Sequence, residues 1–137
     1  MKPLATLALA LLPGLAAAQT YTLGEVRIAV PVQPGYEACL DRSGGGDLAM
    51  MACTDQAAAA WDRRLNAAYG RLRALLPRED FAAVQAAQRG WLAYRDGECR
   101  DSGQDGTMGR LAAASCVLRL TAIRAAELEE RVRQARP

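Results

Sequence analysis

Histidine is absent from this chain of 137 residues. It is the usual general base of serine and cysteine hydrolases and a frequent zinc ligand, so its absence argues against both kinds of site. No two of the cysteines form a C-x-x-C pair, which argues against a thioredoxin-type redox motif. We therefore expect a protein that is not an enzyme and that uses no metal and no cofactor.

Lysine is nearly absent as well. Lys2 is the only lysine, and the formal net charge of the whole chain is +2. Without the N-terminal segment that carries Lys2, the chain would be nearly neutral, and all its basic side chains would be arginines. A nucleic-acid-binding surface needs a clustered excess of positive charge, so we expect no nucleic-acid partner.

Long hydrophobic runs are missing, but a short one lies at the N-terminus. Lys2 precedes the apolar residues 4–15, and the alanines at 16–18 offer an A-x-A cleavage site. The run is too short to span a bilayer comfortably, and a proline and a glycine interrupt it. We predict that residues 1–18 are a signal peptide. After cleavage near Ala18 the protein would be periplasmic or secreted, with no stable membrane anchor.

The cysteines are few but even in number. The four are Cys39, Cys53, Cys99 and Cys116. In an exported chain they predict two disulfides, for which three pairings are possible. We favour Cys39–Cys53 and Cys99–Cys116, because each of these pairs closes a short local loop.

Residues 19–38 are predicted to form an extended, non-helical N-terminal arm. Val26, Ile28, Val30 and Val32 alternate with other residues, as in a strand, and nearby prolines restrict such a strand to a sheet edge. Two interpretations stay open. The segment is either a partly ordered arm or an edge strand that pairs with another chain.

Residues 39–137 predict a single all-α domain. Helical periodicity extends over about 47–76, 78–99 and 108–134, and the glycine-rich residues 100–109 are typical of a loop. Three helices joined by short and medium loops favour an antiparallel three-helix bundle. The two disulfides would then tie together one end of that bundle.

The second predicted helix has an unusual core-facing side. Gln88, Trp91, Arg95 and Cys99 recur every three or four residues, so they share one face. A buried guanidinium needs a partner, and Asp62 is our first choice of carboxylate for Arg95 or for an arginine on the third helix. The whole predicted polar network consists of Asp62, Asn66, Gln88, Arg95, Thr121 and Arg124. We favour a role in helix pairing over a groove that binds a ligand.

Several residues together resemble the LprI-like lysozyme-inhibitor family, small exported helical domains of bacteria. The resemblance covers 39–128 and includes the run 87–99, which reads Ala-Gln-Arg-Gly-Trp-Leu-Ala-Tyr-Arg-Asp-Gly-Glu-Cys. The other matching residues are Cys39, Cys53, Asp62, Leu65, Asn66, Tyr69, Cys116, Leu120, Thr121 and Arg124. The chain departs from the family pattern in its 19–38 arm, in the glycines at 44–46, and in two glycines of the run where alanine is more typical.

The resemblance implies a protein that binds and blocks a peptidoglycan-cleaving glycosidase without catalysis, with a lysozyme as its protein partner. The cleft of a lysozyme uses two carboxylates, which an inserted arginine would occupy. Arg100 and Arg110 flank the predicted loop and are the candidates for such an inhibitory loop, although a plain connector is the simpler interpretation. The alternative function is a general cell-envelope binding or structural module that acts through the 19–38 arm.

Overall fold

The computed structural model describes the backbone of residues 18–23, 26–31, 34–100 and 105–137, and the side chains of 35–100 and 105–137. The predicted signal peptide, apart from Ala18, lies outside these residues. So do Val32 of the predicted strand and residues 101–104 of the predicted loop.

The described part of the chain begins with an antiparallel β-hairpin. Strand β1 (Ala18–Leu23) pairs with strand β2 (Val26–Pro31), with Leu23 opposite Val26 and Ala18 opposite Pro31. The alternation predicted at 26–30 is thus found as β2, whose partner is a segment of the same chain. β2 also lies beside the last helix of the domain. Pairing with another chain stays a prediction.

In the part of the chain that the structure describes, four helices follow the hairpin, so the prediction of three is wrong. They are α1 (Pro34–Arg42), α2 (Asp47–Leu75), α3 (Arg78–Glu98) and α4 (Gly106–Ala135). The last three agree with the predicted helices to within two residues. Their boundaries follow from local sequence, because Pro77 interrupts the periodicity between α2 and α3, and a glycine-rich segment precedes α4.

α1 is the helix that the sequence did not predict, and it takes up the end of the expected 19–38 arm. Pro34 occupies its first position, where a missing N–H does no harm. At nine residues, α1 is too short to be stable alone. It is held against α2 by the Cys39–Cys53 disulfide and by a 3.2 Å hydrogen bond between the hydroxyls of Tyr36 and Thr54.

Contacts between side chains define the directions of the three long helices. The rings of Tyr69 and Phe81 pack 5.1 Å apart, and they lie at the end of α2 and the start of α3, so these two helices run in opposite directions. Arg64 of α2 pairs with Glu129 of α4, and one groove is lined by residues from Arg64 to Arg71 of α2 and from Glu129 to Arg136 of α4. α2 and α4 therefore run in the same direction, and this pair has the most extensive packing in the domain.

The core lies mainly between α2 and α4, and α3 packs across it. Leu72, Val84 and Leu128 come one from each long helix, and all three are fully buried. Two disulfides join Cys39 to Cys53 and Cys99 to Cys116, the pairs that the sequence favoured. The Cα atoms of the two pairs are 5.7 and 5.5 Å apart, within the usual range.

Candidate functional site

A buried polar contact joins α3 to α4. The Arg124 Nε donates to Gln88 Oε1 at 2.9 Å, and its Nη1 donates to Glu127 Oε2 at 2.9 Å. The Gln88 residue is only 8% exposed and the Arg124 side chain 13%. A buried amide oxygen therefore accepts a hydrogen bond from a charged group on another helix. Such a bond contributes more to stability than a hydrogen bond between neutral groups.

Two guanidinium groups lie near the ring of Trp91. The Cζ atoms of Arg95 and Arg124 are 5.2 and 5.9 Å from its centroid, within the range of a cation–π contact. Arg95 also donates to Asp96 Oδ1 at 3.0 and 2.8 Å. The two positive charges near one ring are thus each paired with a carboxylate of their own helix.

The prediction that Asp62 pairs with Arg95 or Arg124 is wrong. Asp62 is exposed on α2 and accepts a 3.0 Å hydrogen bond from Asn66 Nδ2, one turn away. Both arginines take carboxylates one or three residues along their own helix.

Thr121 lies beside this contact on α4 and is buried. Its Oγ1 and the Nη2 of Arg124 are buried and have no hydrogen-bond partner among the described residues. Of the six residues of the predicted network, Gln88 and Arg124 are thus bonded between helices, and Asp62 and Asn66 are bonded to each other. Arg95 is bonded to Asp96.

A groove of about 290 Å³ lies between α2 and α3, next to the contact between Gln88 and Arg124. Gln88 and Trp91 line this groove, and both also contact Arg124 of α4. Arg124 therefore supports one wall of the groove from the side of α4. Asp62 and Arg89 add an exposed carboxylate and an exposed guanidinium. This combination of amide, aromatic and charged groups is suited to binding. Among the described residues, no group of three or more His, Cys, Asp or Glu side chains could hold a metal ion.

The two arginines proposed for the inhibitory loop are both exposed. Arg100 follows the buried Cys99 directly, whereas Arg110 lies in the second turn of α4 and not in a loop. The connection between α3 and α4 is therefore shorter than predicted. The Cys99–Cys116 disulfide ties the start of this connection to a residue that lies ten positions into α4.

A second groove, between α2 and α4, was not predicted from the sequence. This arginine groove has a volume of about 380 Å³ and is lined by Arg64, Arg71, Glu129, Arg133 and Arg136. On each helix the charged residues recur at intervals of three, four or seven. That spacing was a visible signal, but only the shared direction of α2 and α4 brings the two sets together.

The residues described above form a small helical domain with two disulfides, and known proteins share this kind of sequence. The model of the family described as lysozyme inhibitor LprI matches residues 39–128. An uncharacterised protein of Rhizobium meliloti (strain 1021) is 32% identical over 99 residues, which are 61% of this chain and 71% of that relative. No solved structure is significantly similar.

The chain belongs to the LprI lysozyme-inhibitor family, and the resemblance noted in the sequence is confirmed. The matched region contains all four cysteines, the contact between Gln88 and Arg124, and both candidate inhibitory arginines. The β-hairpin lies outside it. None of the described helices is long and apolar enough to cross a membrane.

Proposed function

We propose that this protein is exported and acts as an inhibitor of a peptidoglycan-cleaving glycosidase, which it binds without catalysing a reaction. Membership of the LprI family supports the inhibitory role. The two disulfides support a location outside the cytoplasm, where such bonds persist. The predicted signal peptide would direct the chain to the periplasm or the medium.

The observation that carries this proposal is the placement of Arg100 and Arg110. Both are exposed, and they lie on either side of a short connection whose first residue, Cys99, is tied by a disulfide to Cys116 within α4. A guanidinium matches the geometry of a carboxylate, and the cleft of a lysozyme contains two catalytic carboxylates. An arginine inserted between them would block access of the glycan. The disulfide would limit the entropy that the connection loses on binding.

The test is a cell-wall lysis assay with the purified, oxidised protein, titrated against animal-type and bacterial lysozymes. Wild type is expected to inhibit at least one of them in a saturable manner. Arg100→Ala or Arg110→Ala is expected to weaken inhibition about tenfold, equivalent to about 1.4 kcal/mol. Arg119→Ala serves as the matched control, since Arg119 is an exposed arginine further along α4. It should inhibit like wild type.

Two results would contradict the proposal in different ways. If folded wild type inhibits no lysozyme, inhibition is not its function, and a cell-envelope binding module acting through residues 19–38 becomes the preferred hypothesis. If wild type inhibits but Arg100→Ala and Arg110→Ala inhibit equally well, the function stands and the assigned surface is wrong.

A further inference from the structure

We propose that the arginine groove between α2 and α4 is a binding site for a phosphate group, carried either by a free anion or by a phosphomonoester lipid. This site is separate from the surface proposed to inhibit lysozyme. It lies toward the C-terminal ends of α2 and α4, whereas Cys99 and Cys116 lie at the opposite end of the helices.

The groove lies between two parallel helices, at a place where residues of α2 have small side chains. Ala67 and Ala68 of α2 face Val132 of α4, and Ala68 and Val132 are buried at its base. Short side chains at these positions leave open space between the helices. The longer arginine side chains on the same faces of α2 and α4 surround that space.

Arg64 is held in place before any ligand arrives. Its Nε and Nη2 donate to the two carboxylate oxygens of Glu129 at 2.9 and 2.8 Å. Its Cζ also lies 4.0 Å from the ring centroid of the buried Trp61. This arrangement leaves Nη1 of Arg64 without a partner among the described residues, and a guanidinium nitrogen there can donate to an anion. Because the guanidinium is already ordered, little conformational entropy is lost when it binds.

Arg133 is held in a similar way by its own helix. Its Nε and Nη2 both donate to Glu130 Oε2, one turn earlier on α4. The same hydrogen bonds and the positive charge of Arg133 lower the pKa of the Glu130 carboxyl. Glu130 therefore stays ionised at neutral pH and keeps Arg133 oriented, while Nη1 of Arg133 has no partner among the described residues.

Arg71 and Arg136 provide the charge that is not compensated. Neither forms an ion pair within the described residues. The groove thus gathers four guanidiniums against Glu129 and the neighbouring Glu130, although the net charge of the whole chain is only +2. An excess of positive charge in a concave site raises the local concentration of anions.

Phosphate is the anion that suits this set of donors. It presents several acceptor oxygens in different directions, and arginine forks bind such oxygens in pairs. A strongly basic protein such as an animal lysozyme would be repelled by the same groove. The arginine groove is therefore assigned to a ligand other than the glycosidase.

The test measures binding of inorganic phosphate to the full, oxidised chain by isothermal titration calorimetry, with chloride at equal ionic strength as the reference. Arg71→Gln and Arg136→Gln remove the arginines that form no ion pair, so the contacts of Arg64 and Arg133 remain. Arg119→Gln is the matched control for overall charge. A second arm measures binding to phosphatidylcholine vesicles with and without phosphatidic acid, which distinguishes a lipid phosphate from the free anion.

Saturable phosphate binding that falls about tenfold in Arg71→Gln and Arg136→Gln, but not in Arg119→Gln, would support the free anion as ligand. Binding only to vesicles that contain phosphatidic acid, with the same dependence on the variants, would support the lipid source. Binding to neither probe, or an equal loss in Arg119→Gln, would overturn the proposal. The lysozyme assay tests the other function separately, because Arg71 and Arg136 lie away from the surface proposed for inhibition.

Discussion

Replacement of Arg124 by alanine is expected to destabilise the domain much more than the same replacement of Arg95. Both arginines lie near Trp91, and both form an ion pair on their own helix. They differ in one contact, since only Arg124 donates to a buried group on another helix, the amide oxygen of Gln88. The pair of substitutions therefore isolates the value of that contact.

The magnitudes follow from burial. A hydrogen bond from a charged donor contributes about 1.5–3 kcal/mol, and an unsatisfied buried acceptor costs about 1–3 kcal/mol. For Arg124→Ala we expect a loss of about 2–4 kcal/mol in the free energy of unfolding, because Gln88 cannot turn its oxygen to solvent without disturbing the α3–α4 contact. For Arg95→Ala we expect a loss below about 1 kcal/mol, since the side chain of its partner Asp96 is 56% exposed.

Urea denaturation of the oxidised variants, followed by far-ultraviolet circular dichroism, measures both losses. A double-mutant cycle that combines Arg124→Ala with Gln88→Leu should give a coupling energy of about 1 kcal/mol or more, because the two side chains are in direct contact. Equal losses for Arg124→Ala and Arg95→Ala would refute this reasoning. So would strict additivity of the Arg124 and Gln88 substitutions.

Three further predictions concern the disulfide, the core and one ion pair. Replacing Cys99 and Cys116 together by serine should lower the free energy of unfolding by about 3 kcal/mol, which is the chain-entropy estimate for the loop that they close. The same change should weaken lysozyme inhibition. Urea denaturation curves that match those of wild type would contradict this prediction. Leu72→Ala removes a side chain that is 0% exposed and should cost about 2–5 kcal/mol, so a loss below about 1 kcal/mol would show that the core lies elsewhere. A ¹³C NMR titration of Glu130 should give a pKa below the ordinary value of 4.5, rising in Arg133→Ala. Because this pKa is lowered by folding, the pair stabilises the domain above the pKa of the unfolded chain and loses its effect as the pH falls through that of the folded chain.

The helix that the sequence did not predict shows the limit of local signals. Pro34 is compatible with the first position of a helix, but Gly35 follows it directly and glycines at 44–46 follow α1, so the local sequence is equally typical of a loop. The disulfide between Cys39 and Cys53 and the contact of Tyr36 with α2 stabilise this helix. Both are tertiary interactions, so propensity alone pointed to an extended arm.

The partners of the arginines show a second limit. Periodicity indicates which side chains share a face, and it correctly grouped Gln88, Trp91 and Arg95 on α3. It does not indicate which carboxylate lies within 4 Å of a guanidinium. Asp62 had suitable chemistry, yet Asp96 and Glu127 were closer along the chain and formed the ion pairs.

The sequence by itself determined the three long helices, the family and the favoured disulfide pairs, because these depend on periodicity, residue order and short chain separations. An antiparallel three-helix bundle already implies that its first and third helices run in the same direction, but only the tertiary structure decided which faces of α2 and α4 meet. That arrangement brings Arg64 to Glu129 and places Arg71 and Arg136 at one groove, although more than sixty residues separate each arginine of α2 from its counterpart on α4. Contacts over such separations depend on how helices pack, which no local pattern encodes.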